Sequence, residues 1–410
     1  MTKRVVITGM GTVNPVGLNV QDMWTSLVNG RSGIGPITNF DNSDYLVKVA
    51  GEVKGFDPAQ YMDSKEARRR DRFEQFATAA TKEAMAQSGL LITDENSDRV
   101  GVIIGSSIGG VKAFQDAVRT IGSIGPRRVN AFTIPMMMPN GASGLVGIDV
   151  GARGPNFTVA SACATANDSI GMAWFMVRSG LADAMLTGGS DATIWETGVA
   201  AFDRLGAMSH RTDGIPQPFD KDRDGVVMGE GAGVLVIESL EHAQARGAVI
   251  LAELAGYGAT ADAYHITAPN ENGRMGAKAM HQALNSAGLN PGDLGYISAH
   301  GTGTPLNDAA ETAAVKAAFG PRAYEIPISS TKSMTGHMMG ATGAVEAIVC
   351  VQALCTGTLP PTINYHTPDP ACDLDYVPNT ARERRFDAAI SNAYGVGGHN
   401  AVLAIKRFSG

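Results

Sequence analysis

Residues 157–174, Phe-Thr-Val-Ala-Ser-Ala-Cys-Ala-Thr-Ala-Asn-Asp-Ser-Ile-Gly-Met-Ala-Trp, decide how the chain is read. Phe157 to Ser161 reads as a strand, and Ala164, Ala166, Ile170, Met172 and Trp174 carry a helix that follows at once. Cys163 therefore sits in a strand-to-helix turn, the kind of place where α/β proteins gather ligands. Working outward, short β-branched runs bounded by glycine alternate with longer Ala-rich stretches, the pattern of a layered α/β protein. The 50 glycines in 410 residues exceed the average share of about 7 %, which predicts many tight turns and close backbone contacts.

The order then repeats. Arg4 to Gly9, Val100 to Gly105, Phe157 to Ser161, Ala184 to Gly188 and Gly233 to Glu238 are predicted strands of a first half, residues 1–250. Leu251 to Gly256, Leu294 to Ala299, Tyr324 to Ser330, Ala389 to Ala393 and Asn400 to Lys406 are those of a second, residues 251–410. Each half places helices between its first strands and closes on two strands without a long helix between them, so two copies of a βαβαβαββ unit are expected. In that register Ser161-Ala162-Cys163 matches Thr331-Lys332-Ser333, and Ser106 to Gly110 matches His300 to Thr304. The chemistry is expected at the seam between halves. The polar stretch His210 to Asp224 reads as a loop on this scaffold, because strand patterning resumes directly after it.

A balance of 33 Lys and Arg against 40 Asp and Glu gives a net charge of -7, which argues against a general nucleic-acid binder. Cys163, Cys350, Cys355 and Cys372 have neither zinc-ligand spacing nor the density of a secreted disulfide framework, so a reduced, cytoplasmic setting is expected. No export signal is visible, and no apolar stretch reaches the roughly 20 residues of a membrane helix. Gly9-Met10-Gly11 followed by Gly17 lacks the dinucleotide-binding spacing, and no phosphate-loop motif occurs.

A thiol at a helix start meets free amide donors and the positive end of the helix dipole, both of which favour thiolate. For Cys163 alone, an activated nucleophile and an inert buried thiol stand about equal. His300 opens His-Gly-Thr-Gly-Thr, and His337 closes Thr331-Lys332-Ser333-Met334-Thr335-Gly336-His337 ahead of a small-residue helix. Two glycine-flanked histidines at equivalent turns favour the catalytic reading over the structural one that suits His210, His242, His265, His281 and His366. A zinc site would use short-range ligand pairs or carboxylates, and a papain-like hydrolase would not have this repeated layout.

Val5-Val6-Ile7-Thr8-Gly9-Met10-Gly11, Ala162-Cys163, Pro218 to Gly225, His300 to Thr304, Lys332 to His337 and Gly395-Val396-Gly397-Gly398 together resemble the β-ketoacyl-ACP synthases, especially the elongating Cys-His-His, synthase II-like kind of the thiolase superfamily. The resemblance spans essentially the whole chain. It implies a thiolase fold, two pseudo-repeated halves forming a five-layered α-β-α-β-α core, a homodimer, and a ping-pong cycle on substrates carried by the phosphopantetheine of acyl carrier protein, with no cofactor on the enzyme itself. Cys163 would accept the acyl chain, the amides of Cys163 and Val396 would form its oxyanion hole, and His300 with His337 would drive decarboxylation of the malonyl unit. Lys332 would support the second histidine with Glu311 behind it, and Thr302, Thr304 and Tyr394 would support the site. Ile108, Phe202 and Met136-Met137-Met138 would border the acyl channel, the methionines near the dimer interface. Lys65, Arg68, Arg69, Arg70, Arg127 and Arg128 would dock the acidic carrier. A monovalent cation would lie near Ser298, Glu346, Ser391 and Asn392.

Two departures stand out. The family's Asn-Ser-Phe-Gly-Phe-Gly-Gly is here Asn392-Ala393-Tyr394-Gly395-Val396-Gly397-Gly398, so the second aromatic, a gate at the acyl site, is replaced by Val396. Ala164 replaces the hydroxyl residue commonly following the nucleophile. An altered acyl range is expected. Asn307 to Thr312 and Cys372 to Pro378 also resemble ketosynthases of aromatic or polyene polyketide systems, which raises a heterodimer with a chain-length partner as an alternative. A malonyl-carrier decarboxylase and a non-catalytic partner subunit are the competing functions; the intact Cys163, His300, Lys332 and His337 set weighs against both.

Overall fold

The computed structural model describes residues 2–409. The strands of the main sheet are β1 (Val5–Val13), β2 (Val100–Gly105), β3 (Asn156–Phe157), β4 (Ala184–Asp191), β5 (Gly231–Ser239), β6 (Ala252–Ala261), β7 (Tyr296–Ser298), β8 (Ile328–Ser329), β9 (Ala388–Gly395) and β10 (His399–Lys406). They form one hydrogen-bonded array in the order β8-β7-β9-β10-β6-β1-β5-β4-β2-β3. Read outward from the centre, the first half runs β1, β5, β4, β2, β3 and the second runs β6, β10, β9, β7, β8, which is one topology used twice. Pair directions agree as well: β5 and β10 are antiparallel to both neighbours, and the remaining pairs within each half are parallel. Among the described residues the strand pairing between the two halves of the array is confined to Val6–Glu253 and Ile7–Ala252, a narrow seam at which the array folds back on itself.

Alternating side chains build the layers. On β5, Leu235 and Ile237 enter a central core, whereas Val234 and Val236 enter an outer one; on β10, Leu403 and Ile405 face the centre and Val402 and Ala404 face outward. Both faces being buried explains why these strands read as continuous apolar runs. The longest helices are α1 (Arg72–Ser88), α2 (Val111–Ile124), α3 (Gly141–Val150), α4 (Thr165–Arg178), α5 (Arg274–Ala287), α6 (Pro305–Phe319) and α7 (Thr342–Thr356). α1 and α3 cover the first outer face, α5 and α6 cover the second, and α4 and α7 lie between the two sheets. The result is the five-layered α-β-α-β-α core of the thiolase fold. The 18-residue stretch Met339–Thr356 is long and apolar enough to cross a membrane, with mean hydropathy 1.4, yet 83 % of it is buried in this central layer. A helix flanked by sheet on both sides must be apolar all round.

All ten predicted strands are present, with three shorter than expected: β7 keeps Tyr296–Ser298 of the stretch Leu294 to Ala299, and two edge strands are cut back as well. Only Asn156–Phe157 of the stretch to Ser161, and only Ile328–Ser329 of the stretch from Tyr324, pair as strand. Both are edge strands with one neighbour, so little pairing holds them extended. Thr158 turns its hydroxyl onto the Ile104 carbonyl at 2.8 Å as the chain bends toward Cys163, and Gly320–Glu325 coils into a 3₁₀ turn. His210 to Asp224 traces a loop, anchored by Arg223 to Asp369 at 2.5 Å.

Candidate active site

Cys163 lies on a short turn, Ala162–Ala164, at the N-terminal end of α4. Ala162 has φ +51°, a left-handed conformation that a residue with a side chain adopts only when its surroundings impose it. The end of β9 presses against this turn: a Cβ on Gly395 would fall 2.6 Å from the Ser161 carbonyl oxygen and 3.2 Å from the Cys163 nitrogen. Glycine there lets β9 bring the next residue, Val396, to the sulfur. The backbone N–H groups of Val396 and Cys163 both act on the thiol to lower its pKa.

The sequence reading expected the helix start to favour thiolate; the site overrides that. Burial pushes the Cys163 thiol up to about 11, with Asp191 adding to the rise, and the Lys332 cation and the two amides only partly oppose it. Cys163 keeps some accessible surface at the cavity and packs, as Phe202 does, against an apolar cluster that includes Met208, Met228 and Met339.

His300 follows the end of β7, and His337 follows the short helix Lys332–Thr335. Their rings are 5.4 Å apart at 87°, and Tyr394 lies 5.6 Å from His300. Burial holds both imidazoles well below the ordinary histidine value; Lys332 lowers both further, as does His337 for His300. Both are neutral at pH 7. His337 Nδ1 is engaged with Thr342 Oγ1 at 3.0 Å, and its buried Nε2 has no partner among the described residues. Cys163, His300, His337, Tyr394 and Val396 line one cavity of about 420 Å³, with Thr302 and Thr304 on its wall. Val396 is 39 % exposed at this cavity.

Glu311 takes a different place from the one expected. Its carboxylate accepts the N–H groups of His300 at 2.9 Å and Gly301 at 2.7 Å, and Asn392 Nδ2 at 3.1 Å. It thus supports the His300 turn from α6. Lys332 instead pairs with Glu346 of the central α7, Nζ to Oε1 at 2.6 Å, both side chains fully buried. Glu346 is the sole charged residue of Thr342–Thr356, and a carboxylate in an otherwise apolar buried helix demands a cationic partner; that signal was present in the sequence.

Other expected positions divide. Phe202 packs against the same cluster as Cys163, whereas Ile108 is 44 % exposed and Met136 to Met138 lie half-buried at the end of the short helix Thr133–Met137, outside the cavity of the single chain. Methionine around the sulfur comes from scattered positions, which no run in the sequence marks. Arg70 is not a docking residue: it is buried and forms an ion pair with Asp149 at 2.6 Å. Lys65, Arg68, Arg127 and Arg128 are exposed, and Arg69 binds Glu66 at 3.0 Å while its guanidinium stacks over Phe132 at 4.6 Å. Ser298 Oγ, Glu346 Oε2, Ser391 Oγ and Asn392 Oδ1 are all buried without a hydrogen-bond partner, and Ser298 and Ser391 are directly paired across β7 and β9.

A cysteine on its own and a facing amide, with two neutral histidines, at the seam of a doubled α/β fold defines a thiolase-fold acyltransferase site. Residues 2–243 match the β-ketoacyl synthase N-terminal domain and residues 251–366 its C-terminal domain. The chain belongs to the β-ketoacyl synthase family. It is 50 % identical to a 3-oxoacyl-[acyl-carrier-protein] synthase 2 of Synechocystis sp. over 99 % of this chain and 98 % of that one. A 3-oxoacyl-[acyl-carrier-protein] synthase 2 of Staphylococcus aureus is also 50 % identical, over 99 % of each. Among solved structures, the ishigamide ketosynthase/chain length factor superposes with TM-score 0.93 at 36 % identity over 100 % of both chains. A type II polyketide ketosynthase in complex with its acyl-carrier protein gives TM-score 0.93 at 33 % identity, again over 100 % of both.

Proposed function

We propose that the chain condenses an acyl-ACP primer with malonyl-ACP to give 3-oxoacyl-ACP in fatty-acid elongation, with residues 1–250 carrying the nucleophile and residues 251–410 the two histidines. The carrying observation is that the Cys163 and Val396 amides and the free edge of neutral His337, beside neutral His300, meet in one cavity. Cys163 loses its proton as it attacks the acyl thioester, with a neutral imidazole in the same cavity as the available acceptor, and the carrier thiol departs. The oxyanion formed on the acyl carbonyl is held by the two amides. The malonyl thioester then places its carbonyl oxygen against His300 and His337. As CO₂ leaves, the electron pair of the broken C–C bond moves into an enolate that these donors hold, and the enolate carbon attacks the Cys163 thioester. Collapse of that second tetrahedral adduct releases the 3-oxoacyl chain, two carbons longer, and the Cys163 thiolate, which takes up a proton from solvent. A donor aimed at a developing oxyanion contributes about 2.7 to 4 kcal/mol.

Lys65, Arg68, Arg127 and Arg128 are the carrier landing site, with Arg69 bridging the two clusters through Phe132. The protein works in the cytoplasm as a homodimer, its interface built on the exposed Phe114, Val118 and Ile121 stripe of α2 with Ile108 and Met136 to Met138, which brings the latter residues to the acyl channel. The four unpartnered oxygens of Ser298, Glu346, Ser391 and Asn392 fit a monovalent cation, which would offset their buried lone pairs. Removing potassium and sodium should lower the thermal midpoint even without substrate. A polyketide ketosynthase role, paired with a chain-length subunit, is the second reading; Val396 in place of the gating aromatic favours it.

Incubation with acyl-ACP and malonyl-ACP, followed by intact mass of enzyme and carrier, tests the assignment. Acylated Cys163 and a 3-oxoacyl carrier are expected. Acetyl carrier alone would make the protein a decarboxylase, and no change would make it a partner subunit.

A further inference from the structure

Beside the cavity, a half-buried contact ties the nucleophile turn to the other half of the molecule. Asp168, in the first turn of α4, accepts a hydrogen bond from Ser161 Oγ on Oδ2 and from the Tyr257 hydroxyl on Oδ1 at 2.6 Å. Ser161 stands two residues ahead of Cys163; its N–H donates to Thr165 Oγ1 at 2.9 Å and its carbonyl accepts from Ala164 N–H at 3.0 Å. Between Ser161 and Cys163 lies Ala162, in its left-handed conformation. Tyr257 comes from β6, and its ring packs so tightly on α4 that a Cβ on Gly171 would fall 2.4 Å from it. On the opposite side Gly395 rests on the Ser161 carbonyl.

We propose that Asp168, held by Tyr257, is a positioning residue for the reaction: acting through Ser161, it clamps the 161–164 turn against β9 and so keeps the sulfur on the Cys163 and Val396 amides. The inference rests on the proposed acyl-transfer role of Cys163. A left-handed alanine relaxes when its neighbours release it, and the thiol would move with it. Asp168 spends both carboxylate oxygens on this task and touches neither histidine. Its two donors come from opposite halves, so the clamp couples the nucleophile to the sheet whose partner strand, β10, is directly hairpinned to the Val396 strand.

The test uses full-length enzyme carrying Ser161→Ala, Tyr257→Phe or Ser161→Thr. Four quantities are read: the rate of Cys163 acylation by acyl-ACP, malonyl-ACP decarboxylation, the rate of Cys163 alkylation by iodoacetamide, and the thermal midpoint. Ser161→Ala should slow acylation about 10- to 100-fold, the size of effect that an ångström of misplacement produces. Tyr257→Phe should give a smaller loss in the same direction, and Ser161→Thr, which keeps the hydroxyl, should retain acylation. Decarboxylation should stay at the wild-type rate, because His300 and His337 sit on other turns. Unchanged acylation in Ser161→Ala and Tyr257→Phe, or acylation and decarboxylation falling together with the midpoint, would overturn the proposal. If Ser161→Ala fails to fold, Tyr257→Phe removes one oxygen, keeps the ring on Gly171 and decides the matter. If wild-type Cys163 takes no acyl group, the acyl-transfer reading fails, while altered alkylation in the variants still reports the clamp.

Discussion

Replacing Lys332 by Met should destabilise the protein in a pH-dependent way that identifies its work. Lys332 and Glu346 are a buried pair at 2.6 Å, and burial pushes Glu346 up to about 7 even with the cation beside it. Removing one partner of a buried pair costs about 3–5 kcal/mol. With an unfolding entropy of about 2.1 cal/mol/K per residue over 410 residues, that loss lowers the thermal midpoint by roughly 3 to 6 °C. The cost is capped by protonation. A carboxyl whose folded value is raised binds its proton more tightly when folded, so the stability it contributes is present at low pH and lost as pH rises through the folded value. Without Lys332 that value climbs above 7, so the deficit against wild type should be small at pH 6 and grow by up to about 1.36 kcal/mol per pH unit above neutrality. Differential scanning calorimetry at pH 6, 7.5 and 9 measures it. Lys332→Met/Glu346→Gln should recover most of the midpoint at every pH. Cys163 alkylation should stay slowed in both variants, because the thiol has lost the cation that lowers its pKa. A midpoint loss equal at pH 6 and pH 9 would refute the reasoning.

Cys163→Ala should abolish the acyl-enzyme in intact mass while malonyl-ACP decarboxylation continues, since that step uses the histidines. Glu311→Ala leaves the His300 and Gly301 amides without an acceptor, at about 1–3 kcal/mol each, and should depress decarboxylation more than Cys163 acylation when the two half-reactions are timed separately. Val396→Phe should narrow the acyl-length profile of condensation, and identical profiles would exclude a gating role for this position. Arg68→Glu with Arg128→Glu should raise KM for acyl-ACP at low salt and less so at high salt, whereas Arg70→Glu should lower the thermal midpoint instead, because Arg70 is buried against Asp149.

The doubled topology was legible because short β-branched runs punctuated by glycine mark the strands, and because the two halves repeat the same order. The shortened β3 and β8 were not, since an edge strand's length depends on how far its one neighbour runs. Cys163, His300 and His337 announced themselves by residue type at strand-to-helix turns. Glu346 did so only as an oddity in an apolar helix, and its partner could be named only once α7 was seen to lie over Lys332. Arg70 shows the reverse: a run of three arginines reads as one charged surface, but a helix boundary at Asp71 turns one of them inward.

By itself, then, the sequence determined the layered α/β class, the repeat and the identity of the reacting side chains, because these depend on local periodicity and on chemistry that few residue types can perform. The tertiary structure decided the state of those side chains. Desolvation keeps Cys163 a thiol near 11 rather than a helix-activated thiolate and keeps His300 and His337 neutral, and packing of one element on another sends Lys332 to Glu346 and Glu311 to the His300 turn. Each of these depends on what lies within a few ångströms in space: the partner stands on another element 11 residues away for His300 and Glu311 and 14 for Lys332 and Glu346, and for Cys163 the Lys332 cation and the Val396 amide come from the other half of the chain.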